Sequence, residues 1–272
     1  MSYCKIIIGN AFKYLPQIES GTVDMVFTDP PYMISSAMKI RRQRNPMKFN
    51  KPYKYQGKDI SFEFGEWDIF KSKEEYLDFT KSWFTECIRI LRKGGHVISF
   101  FDKHKLTYLV ELGEELNVKA RQNPLWIKTN PVPCGRKVSF MNGYELCYWG
   151  TKETTQRKFC TFNYELGQSP DYFKHSIVGH TTKADGERIH STQKPIAFCQ
   201  WLISYLSNEN DLIIDPFAGS GTTGMAAILL NRNVILIEKD KDYAEKMILR
   251  IKNLISQQNL FKKSVKLEIF EI

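Results

Sequence analysis

The chain lacks the features that define membrane-spanning and disulfide-bonded proteins. None of its apolar runs approaches the about 18 consecutive residues that a transmembrane helix requires. Its opening residues lead directly into an apolar strand, so we expect no signal peptide. The six cysteines form no CxxC pair, which argues against a zinc site and predicts free thiols in a reducing compartment. We therefore expect a protein without bound metal, without membrane association and located in the cytoplasm.

One stretch of the chain has no acidic residue at all. The net charge is +9, from 39 basic and 30 acidic residues, and this excess permits a polyanionic partner. The acid-free stretch contains eight cations: Lys39, Arg41, Arg42, Arg44, Lys48, Lys51, Lys54 and Lys58. Three aromatic residues are interleaved with them. Two interpretations stay open, a solvated loop and a surface that faces phosphates.

Repeats and low-complexity tracts are also missing, and apolar strands alternate with helical patterns instead. This alternation predicts an α/β fold with a doubly wound, mostly parallel sheet. A helical pattern runs from about Lys73 to Arg92 and is followed by Gly94 and Gly95, which we take as its end. A strand is then predicted from Val97 to Phe101.

The apolar strand from Val23 to Thr28 ends abruptly in Asp29-Pro30-Pro31-Tyr32. Prolines cannot continue a ladder, because they lack an N–H and their φ is fixed. Asp29 therefore lies at the carboxyl end of a buried strand, which is where ligands bind in α/β sheets. The turn offers an anionic acceptor (Asp29), a backbone carbonyl (Pro30) and a flat ring (Tyr32). These groups suit a planar heterocycle that carries an exocyclic NH2.

A second strand ends in a glycine-rich turn. The segment is Asp215-Pro216-Phe217-Ala218-Gly219-Ser220-Gly221-Thr222-Thr223, and Glu238 follows Gly219 by 19 residues. An acid at that place grips ribose hydroxyls in nucleotide-binding sheets. The pattern Gly219-x-Gly221-x-x-Gly224 also permits an NAD enzyme. Asp215, however, would repel a pyrophosphate and attract an α-ammonium, which favours S-adenosylmethionine.

The two turns, in this order, resemble the β class of DNA amino-methyltransferases across nearly the whole chain. Three further segments are similar to that family: residues 64–68, 126–131 and 190–195. The resemblance implies a seven-stranded sheet of the S-adenosylmethionine-dependent type, circularly permuted so that the catalytic half comes first. It implies one domain over residues 1–272, a DNA-facing loop at 33–66, a target-recognition region at 151–188 and a cofactor-binding half at 190–258.

The resemblance also assigns roles to single residues. Asp29, Pro30, Pro31 and Tyr32 would be catalytic, and Tyr32 and Trp126 would form the base pocket. Asn10, Asp29, Thr192, Lys194, residues 215 and 217–223 and Glu238 would hold the cofactor. Thr192 and Lys194 would lie near its methionine end. Where Asn10 stands the family usually has an acid, although an Asn oxygen can still accept a hydrogen bond from an adenine amino group. The cations from Lys39 to Lys54 would contact DNA.

The implied reaction is methylation of adenine N6 in DNA after base flipping, by direct in-line transfer. Cytosine N4 is the alternative, and Asp29 favours adenine because Ser-Pro-Pro-Tyr is commoner in cytosine-N4 enzymes. A DNA-binding relative that has lost catalysis is a further alternative. The expected partner is double-stranded DNA, with single-stranded DNA also compatible. A homodimer and a separately acting cognate restriction endonuclease fit the same resemblance, and the origin would be bacterial or phage.

Overall fold

The computed structural model describes residues 2–33, 36–41, 59–62, 70–132, 140–154, 160–178, 193–259 and 264–272. The chain divides into two compact units. The first consists of Met1–Pro30 and Lys81–Ile272, and the second of Pro31–Thr80. The single methyltransferase domain over residues 1–272 stays a prediction. No helix in the described ranges combines the length and the apolar content needed to cross a bilayer.

Helices and strands alternate along most of the described chain, as the sequence predicted. The helices are α1 (Ala11–Tyr14), α2 (Lys73–Ile90), α3 (Leu106–Glu115), α4 (Ile196–Leu206), α5 (Thr222–Leu229) and α6 (Lys241–Asn259). The strands are β1 (Ser2–Ile8), β2 (Val23–Thr28), β3 (Ser36–Arg41), β4 (Asp59–Phe62), β5 (Leu91–Phe100), β6 (Val118–Ala120), β7 (Leu125–Lys128), β8 (Tyr144–Lys152), β9 (Tyr172–His175), β10 (Leu212–Asp215), β11 (Asn233–Glu238) and β12 (Val265–Glu271).

The first unit is built on one large sheet with the strand order β12-β1-β11-β10-β2-β5-β8-β7-β9, and β6 pairs with β8. The pairs from β12 to β5 are all parallel. β8 runs antiparallel to β5, β6 and β7. The predicted α/β class with a mostly parallel sheet is thus confirmed, while the circular permutation stays a prediction.

The expected number of strands was wrong. Seven were predicted, and the sheet has ten within the described residues. Four of its members are only three or four residues long, namely β6, β7, β9 and β10. Strands this short have too few residues to show a period of two in the sequence. β9 lies inside the segment 151–188, for which the sequence showed no periodicity.

The predicted end of α2 was also wrong. The sequence placed it at Arg92, before Gly94 and Gly95, but α2 stops at Ile90 and β5 begins at the next residue. The register between β2 and β5 shifts at this point, and Gly94 adopts a φ of +78°. The two glycines therefore mark an irregular start of a strand rather than a helix cap.

The core of the first unit lies along the central parallel strands. β2, β10 and β11 are short apolar runs whose residues are almost all buried, as expected for strands covered on both faces. α5 is short, begins with Thr222 and Thr223 and is buried from Thr222 to Ile228, and α4 packs against it with an apolar face. These strands are therefore rigid supports for the residues at their carboxyl ends.

The edge of the sheet is formed by both ends of the described chain. β1 lies between β11 and β12 and runs parallel to both. The pairing with β12 extends over seven residues, from Ser2 opposite Val265 to Ile8 opposite Glu271. The Ile272 amide then donates to the Ile8 carbonyl at 3.0 Å.

The second unit contains the antiparallel pair of β3 and β4. The start of α2 also belongs to it, and Phe70 contacts two aromatic residues there. Its ring centroid lies 5.2 Å from the centroid of Tyr76, edge to face, and 5.2 Å from that of Phe79. This aromatic group gives the unit an apolar cluster of its own.

Candidate functional site

Four neighbouring strands of the first unit end at one edge of the sheet, and a predicted site residue follows or terminates each of them. The strands are β1, β11, β10 and β2, and consecutive members are parallel. Their carboxyl ends carry Asn10, Glu238, Asp215 and Asp29 in that order. Ligands bind at such an edge in doubly wound sheets. The structure thus brings together residues that the sequence placed at opposite ends of the chain.

The glycine turn between β10 and α5 is shaped by close packing. Gly221 has a φ of +74°, and a Cβ added there would lie 2.6 Å from the Met247 Cγ of α6. At Gly224, a Cβ would lie 2.4 Å from the Leu236 Cδ1 of β11. Arg250 of α6 donates to the Ser220 carbonyl at 3.0 Å. Because these positions leave no room for a side chain, the turn is held closely between α6 and the sheet.

Glu238 binds this turn directly. Its Oε2 accepts a hydrogen bond from the Gly219 amide at 2.7 Å, and its Oε1 accepts one from the Asp240 amide at 2.8 Å. Burial raises the pKa of the carboxyl above its ordinary value. In a dinucleotide fold the glycine turn approaches a pyrophosphate. Here the Gly219 amide faces a carboxylate instead, so the site fits an adenosine cofactor that carries no phosphate.

Asp215 is more buried than Glu238, and its side chain binds the backbone of the glycine turn. Only 3% of the residue is exposed. Its Oδ1 accepts hydrogen bonds from the Thr28 hydroxyl at 2.8 Å and from the Phe217 amide at 3.1 Å. Burial raises the pKa of Asp215 to about 7, although these donors partly offset it. The predicted attraction of an α-ammonium by Asp215 stays a prediction.

Asp29 is the end of a chain of charges that alternate in sign. The Lys194 Nζ lies 2.6 Å from Asp29 Oδ2 and 3.2 Å from Glu145 Oε2. Glu145 Oε1 in turn lies 2.7 Å from the Lys128 Nζ. Burial alone would lower the pKa of Lys194, but Asp29 and Glu145 outweigh it and raise the pKa above its ordinary value. Lys194 is therefore a cation at the site.

Glu145 is a member of this site that the sequence did not single out. It lies on β8, within the apolar run from Tyr144 to Trp149. Burial would raise its pKa, but Lys194 and Lys128 outweigh it and hold the pKa below its ordinary value. The sequence did contain one sign of this role. Glu145 is an acid within an apolar run, and such an acid needs a cation nearby when it is buried.

Comparison with known proteins decides the family. Residues 23–249 match the family described as DNA methylase. The Type II methyltransferase M.HinfI of Haemophilus influenzae is 33% identical over 263 residues, which cover 91% of this chain and 68% of that protein. The chain belongs to this DNA methylase family. The predictions of a DNA amino-methyltransferase, of S-adenosylmethionine as its cofactor and of DNA as its substrate are confirmed.

Further relatives of the methylase agree with this assignment. The Type II methyltransferase M2.MboI of Moraxella bovis is 29% identical over 244 residues, covering 87% of this chain and 83% of that protein. The crystal structure of an M1.HpyAVI–SAM complex matches with a TM-score of 0.66 at 22% identity, covering 91% of this chain and 98% of that one. The cytosine-N4-specific PvuII DNA methyltransferase matches with a TM-score of 0.68 at 17% identity, covering 98% and 95%. These two structures establish the fold.

Several predicted residues of the methylase have structural partners of their own. The Asn10 Oδ1 accepts from the Phe12 amide at 3.0 Å and so caps α1. Trp126 is 2% exposed, and its Nε1 donates to the His175 carbonyl at 3.0 Å. Phe217 meets the Trp83 ring edge to face at 5.8 Å between centroids. The predicted contacts of Asn10 and Phe217 with the cofactor, and of Trp126 with a base, stay predictions.

The other predicted residues lie in several parts of the chain. Pro30 is buried just after β2, whereas Pro31 and Tyr32 belong to the second unit.

Within the glycine turn, the Ala218 amide donates to the Ile237 carbonyl, and the Ser220 and Thr222 hydroxyls share a hydrogen bond of 3.0 Å. Thr223 donates to the Phe27 carbonyl at 3.5 Å. Lys39 and Arg41 lie on β3. The remaining predicted site residues lie outside the described ranges: Arg42, Arg44, Lys48, Lys51, Lys54 and Thr192. Lys58 also lies outside them.

Proposed function

We propose that this methylase transfers a methyl group from S-adenosylmethionine to the N6 atom of adenine in DNA. The observation that supports this most directly is the sheet edge shared by the two turns. Asp29 directly follows β2, and the glycine turn begins where the adjacent strand β10 ends. A group that recognises an exocyclic amine and a turn suited to the methyl donor thus lie side by side.

The cofactor would be held by the glycine turn and by Glu238. The bound donor supplies an electrophilic methyl group on a sulfonium centre. Glu238 is fixed by the Gly219 amide, so its carboxylate is already oriented for ribose hydroxyls. Gly221 keeps the turn close to α6, and Thr222 and Thr223 begin the helix whose N-terminal amides face the same edge. The residues present thus fit an adenosine cofactor.

The base would be recognised by its amino group. A paired, stacked base is out of reach, so the nucleotide must first be flipped out of the duplex. Asp29 and the Pro30 carbonyl would accept the two amino hydrogens, which draws the nitrogen lone pair out of ring conjugation. The in-line transfer needs no covalent adduct with the base, so proximity and electrostatics account for the acceleration. The assignment of Tyr32 and Trp126 to the base pocket, which the resemblance implies, stays a prediction from the sequence.

Adenine is preferred to cytosine because of Asp29, since Ser-Pro-Pro-Tyr is commoner among cytosine-N4 enzymes. The test is to incubate the protein with isotopically labelled S-adenosylmethionine and DNA free of methylated bases, digest to nucleosides and identify the labelled product by mass spectrometry. N6-methyladenine is the expected product. Labelled N4-methylcytosine would establish the alternative, and an absence of label in both would indicate a DNA-binding relative without activity. The Asp29→Ala variant, purified identically, excludes contaminating host enzymes.

The biological setting follows from the relatives. Two of them are named Type II methyltransferases and come from bacteria. We therefore place this methylase in a bacterial restriction-modification system, in which a separate endonuclease cuts the unmethylated form of the same sequence. Double-stranded DNA as the preferred substrate, a homodimer and a cytoplasmic location remain predictions.

The cations from Lys39 to Lys58 would contribute the phosphate contacts on the DNA. They follow the Asp29 turn directly in the sequence, and eight cations without an acid favour a nearby polyanion. Replacing Arg41, Arg42 and Arg44 by Ala should weaken binding to all DNA sequences alike. The slope of log K against log salt should flatten by up to about 3 units, since each phosphate contact contributes about 0.9.

The measurement is a DNA-binding titration at several salt concentrations, with S-adenosylmethionine affinity as the control. That affinity should barely change. An identical salt slope in the wild type and the triple variant would show that these arginines do not contact DNA and that the stretch is a solvated loop.

A further inference from the structure

Three charged residues form a chain of ion pairs that leads to Asp29. We propose that Lys194, Glu145 and Lys128 are positioning residues, which keep the Asp29 carboxylate ionised and oriented toward the amino group that it binds. This inference rests on the proposed function of Asp29. The expectation from the sequence that Lys194 lies near the methionine end of the cofactor stays a prediction, and the affinity measurement below distinguishes the two roles.

Each member of this charge chain comes from a different element of the first unit. Lys128 ends β7, Glu145 lies on β8, Lys194 precedes α4, and Asp29 follows β2. The three ion-pair distances are 2.7, 3.2 and 2.6 Å from one end to the other. Because these elements are held by the sheet and the helix layer, the nitrogen of Lys194 has a fixed place against Asp29. A carboxylate bound by a fixed cation has its orientation restricted as well.

The Lys194 side chain is buried between the carboxylates of Asp29 and Glu145. Its side chain is 6% exposed, whereas those of Asp29 and Glu145 are 24% and 27% exposed. Its Nζ also lies 4.7 Å from the centroid of the Phe100 ring, an apolar neighbour that favours a cation. A buried ammonium is stable only when its partners compensate for the lost hydration. The Lys194 ammonium is therefore held in a fixed place between the two carboxylates.

The signs of the charges predict how each residue acts on Asp29. The cation Lys194 favours the ionised form of Asp29, and the anion Glu145 disfavours it. Lys128 neutralises part of the effect of Glu145. Two other titratable groups interact with this cluster, Asp215 on β10 and Cys147 on β8, and Cys199 on α4 interacts with Cys147. These three stay unchanged in the variants used for the test, so differences between those variants report the charge chain itself.

The test compares the variants Lys194→Met and Glu145→Gln in single-turnover methylation across pH. Lys194→Met should lower the rate about 100-fold at neutral pH and move the acid limb of the profile to higher pH. Glu145→Gln should lower the rate about 10-fold and move the acid limb to lower pH, because the charge removed has the opposite sign. In both variants the dissociation constant for S-adenosylmethionine should stay within about threefold of that of the wild type. Lys194→Arg, which keeps the charge, should recover part of the lost rate.

The matched control is Lys266→Met, which removes a lysine from an exposed ion pair with Glu268 on β12. It should leave the rate and the pH profile unchanged. Circular dichroism establishes that each variant is folded. If Lys194→Met does not fold, Glu145→Gln still tests the proposal through the sign of its shift.

Three results would overturn the proposal. The first is a large loss of S-adenosylmethionine affinity in Lys194→Met with a normal rate at saturation, which would assign Lys194 to the cofactor. The second is a loss of rate in both variants that is the same at every pH. The third is an acid limb that moves in the same direction in both. Failure of the wild type to methylate DNA would instead contradict the proposed function, so the two failures are distinguishable.

Discussion

Asp29 and Asp215 occupy equivalent places in the chain but have opposite surroundings. Each ends an apolar parallel strand, each precedes a proline, and their strands β2 and β10 are neighbours in the sheet. Asp29 is partly exposed and forms an ion pair with Lys194. Asp215 is 3% exposed and accepts from a hydroxyl and an amide, and burial raises its pKa to about 7.

The difference shows that one local pattern can produce two kinds of acid. A strand followed by Asp-Pro stops at the sheet edge in both cases because proline cannot extend the ladder. The next residues separate the two cases: a second proline comes after Asp29-Pro30, and a glycine turn comes after Asp215-Pro216. In the first arrangement the carboxylate stays partly exposed. In the second the carboxylate is buried and accepts a hydrogen bond from the Phe217 amide of the glycine turn.

The largest expected effect comes from removing the exposed acid. Asp29→Ala should lower the methylation rate about 1000-fold, because the proposed contact with the amino group would stabilise the transition state. The affinity for S-adenosylmethionine should stay within about threefold. Single-turnover assays and calorimetry measure the two quantities. A loss of cofactor affinity above about tenfold would show that both acids serve the cofactor, and the contrast between them would fail.

A smaller effect is expected from the glycine turn beside Asp215. Gly221→Ala should lower S-adenosylmethionine affinity about 10- to 100-fold, because the added Cβ would lie 2.6 Å from Met247. The matched control is Gly21→Ala. Gly21 has a φ of +76°, close to the +74° of Gly221, but nothing lies within 4 Å of its Cβ position. Both variants carry the left-handed strain, which is about 1 kcal/mol, and calorimetry isolates the packing effect. Equal cofactor affinity in the two variants would mean that the turn does not shape the site.

The smallest effect concerns the buried acid itself. The pKa of Asp215 is about 7 in the folded protein against 3.8 as the ordinary value, so between these two values the folded state binds more protons than the unfolded state. Its contribution to stability therefore falls as pH rises from about 4 to 7. Asp215→Asn cannot ionise and should remove this part of the dependence, at most about 1.4 kcal/mol per pH unit. Urea unfolding at pH 5, 6 and 7 measures it, and a wild-type slope that persists in the variant would assign the dependence to other groups.

The sequence predicted the parts of the site that depend on local pattern. β2 has the predicted bounds, from Val23 to Thr28, and Asp29 and the glycine turn lie at the expected sheet edge. Local chemistry is sufficient there because prolines and glycines restrict the backbone wherever they occur. The roles of the single side chains stay predictions.

The sequence did not predict the contacts that depend on the order of strands. Glu145 on β8 meets Lys194, which precedes α4, and the sequence around each residue contains no sign of the other. The same limitation applies to Thr28 at the end of β2, whose hydroxyl donates to Asp215 on the neighbouring strand β10. The predicted end of α2 was wrong because a glycine pair after a helical pattern is equally compatible with the irregular start of a strand.

The position of β1 also determines when the sheet edge can form during folding. Its two partners are β11 and β12, so its hydrogen bonds join residues 2–8 to residues 233–238 and 265–271. Contacts between such distant segments require the closure of very long loops, which slows folding. During synthesis, Asn10 can approach Glu238 only after nearly all of this chain has been made. Until then, β1 is an unpaired apolar strand that is prone to aggregate, and we expect its capture to be a late and slow step of folding.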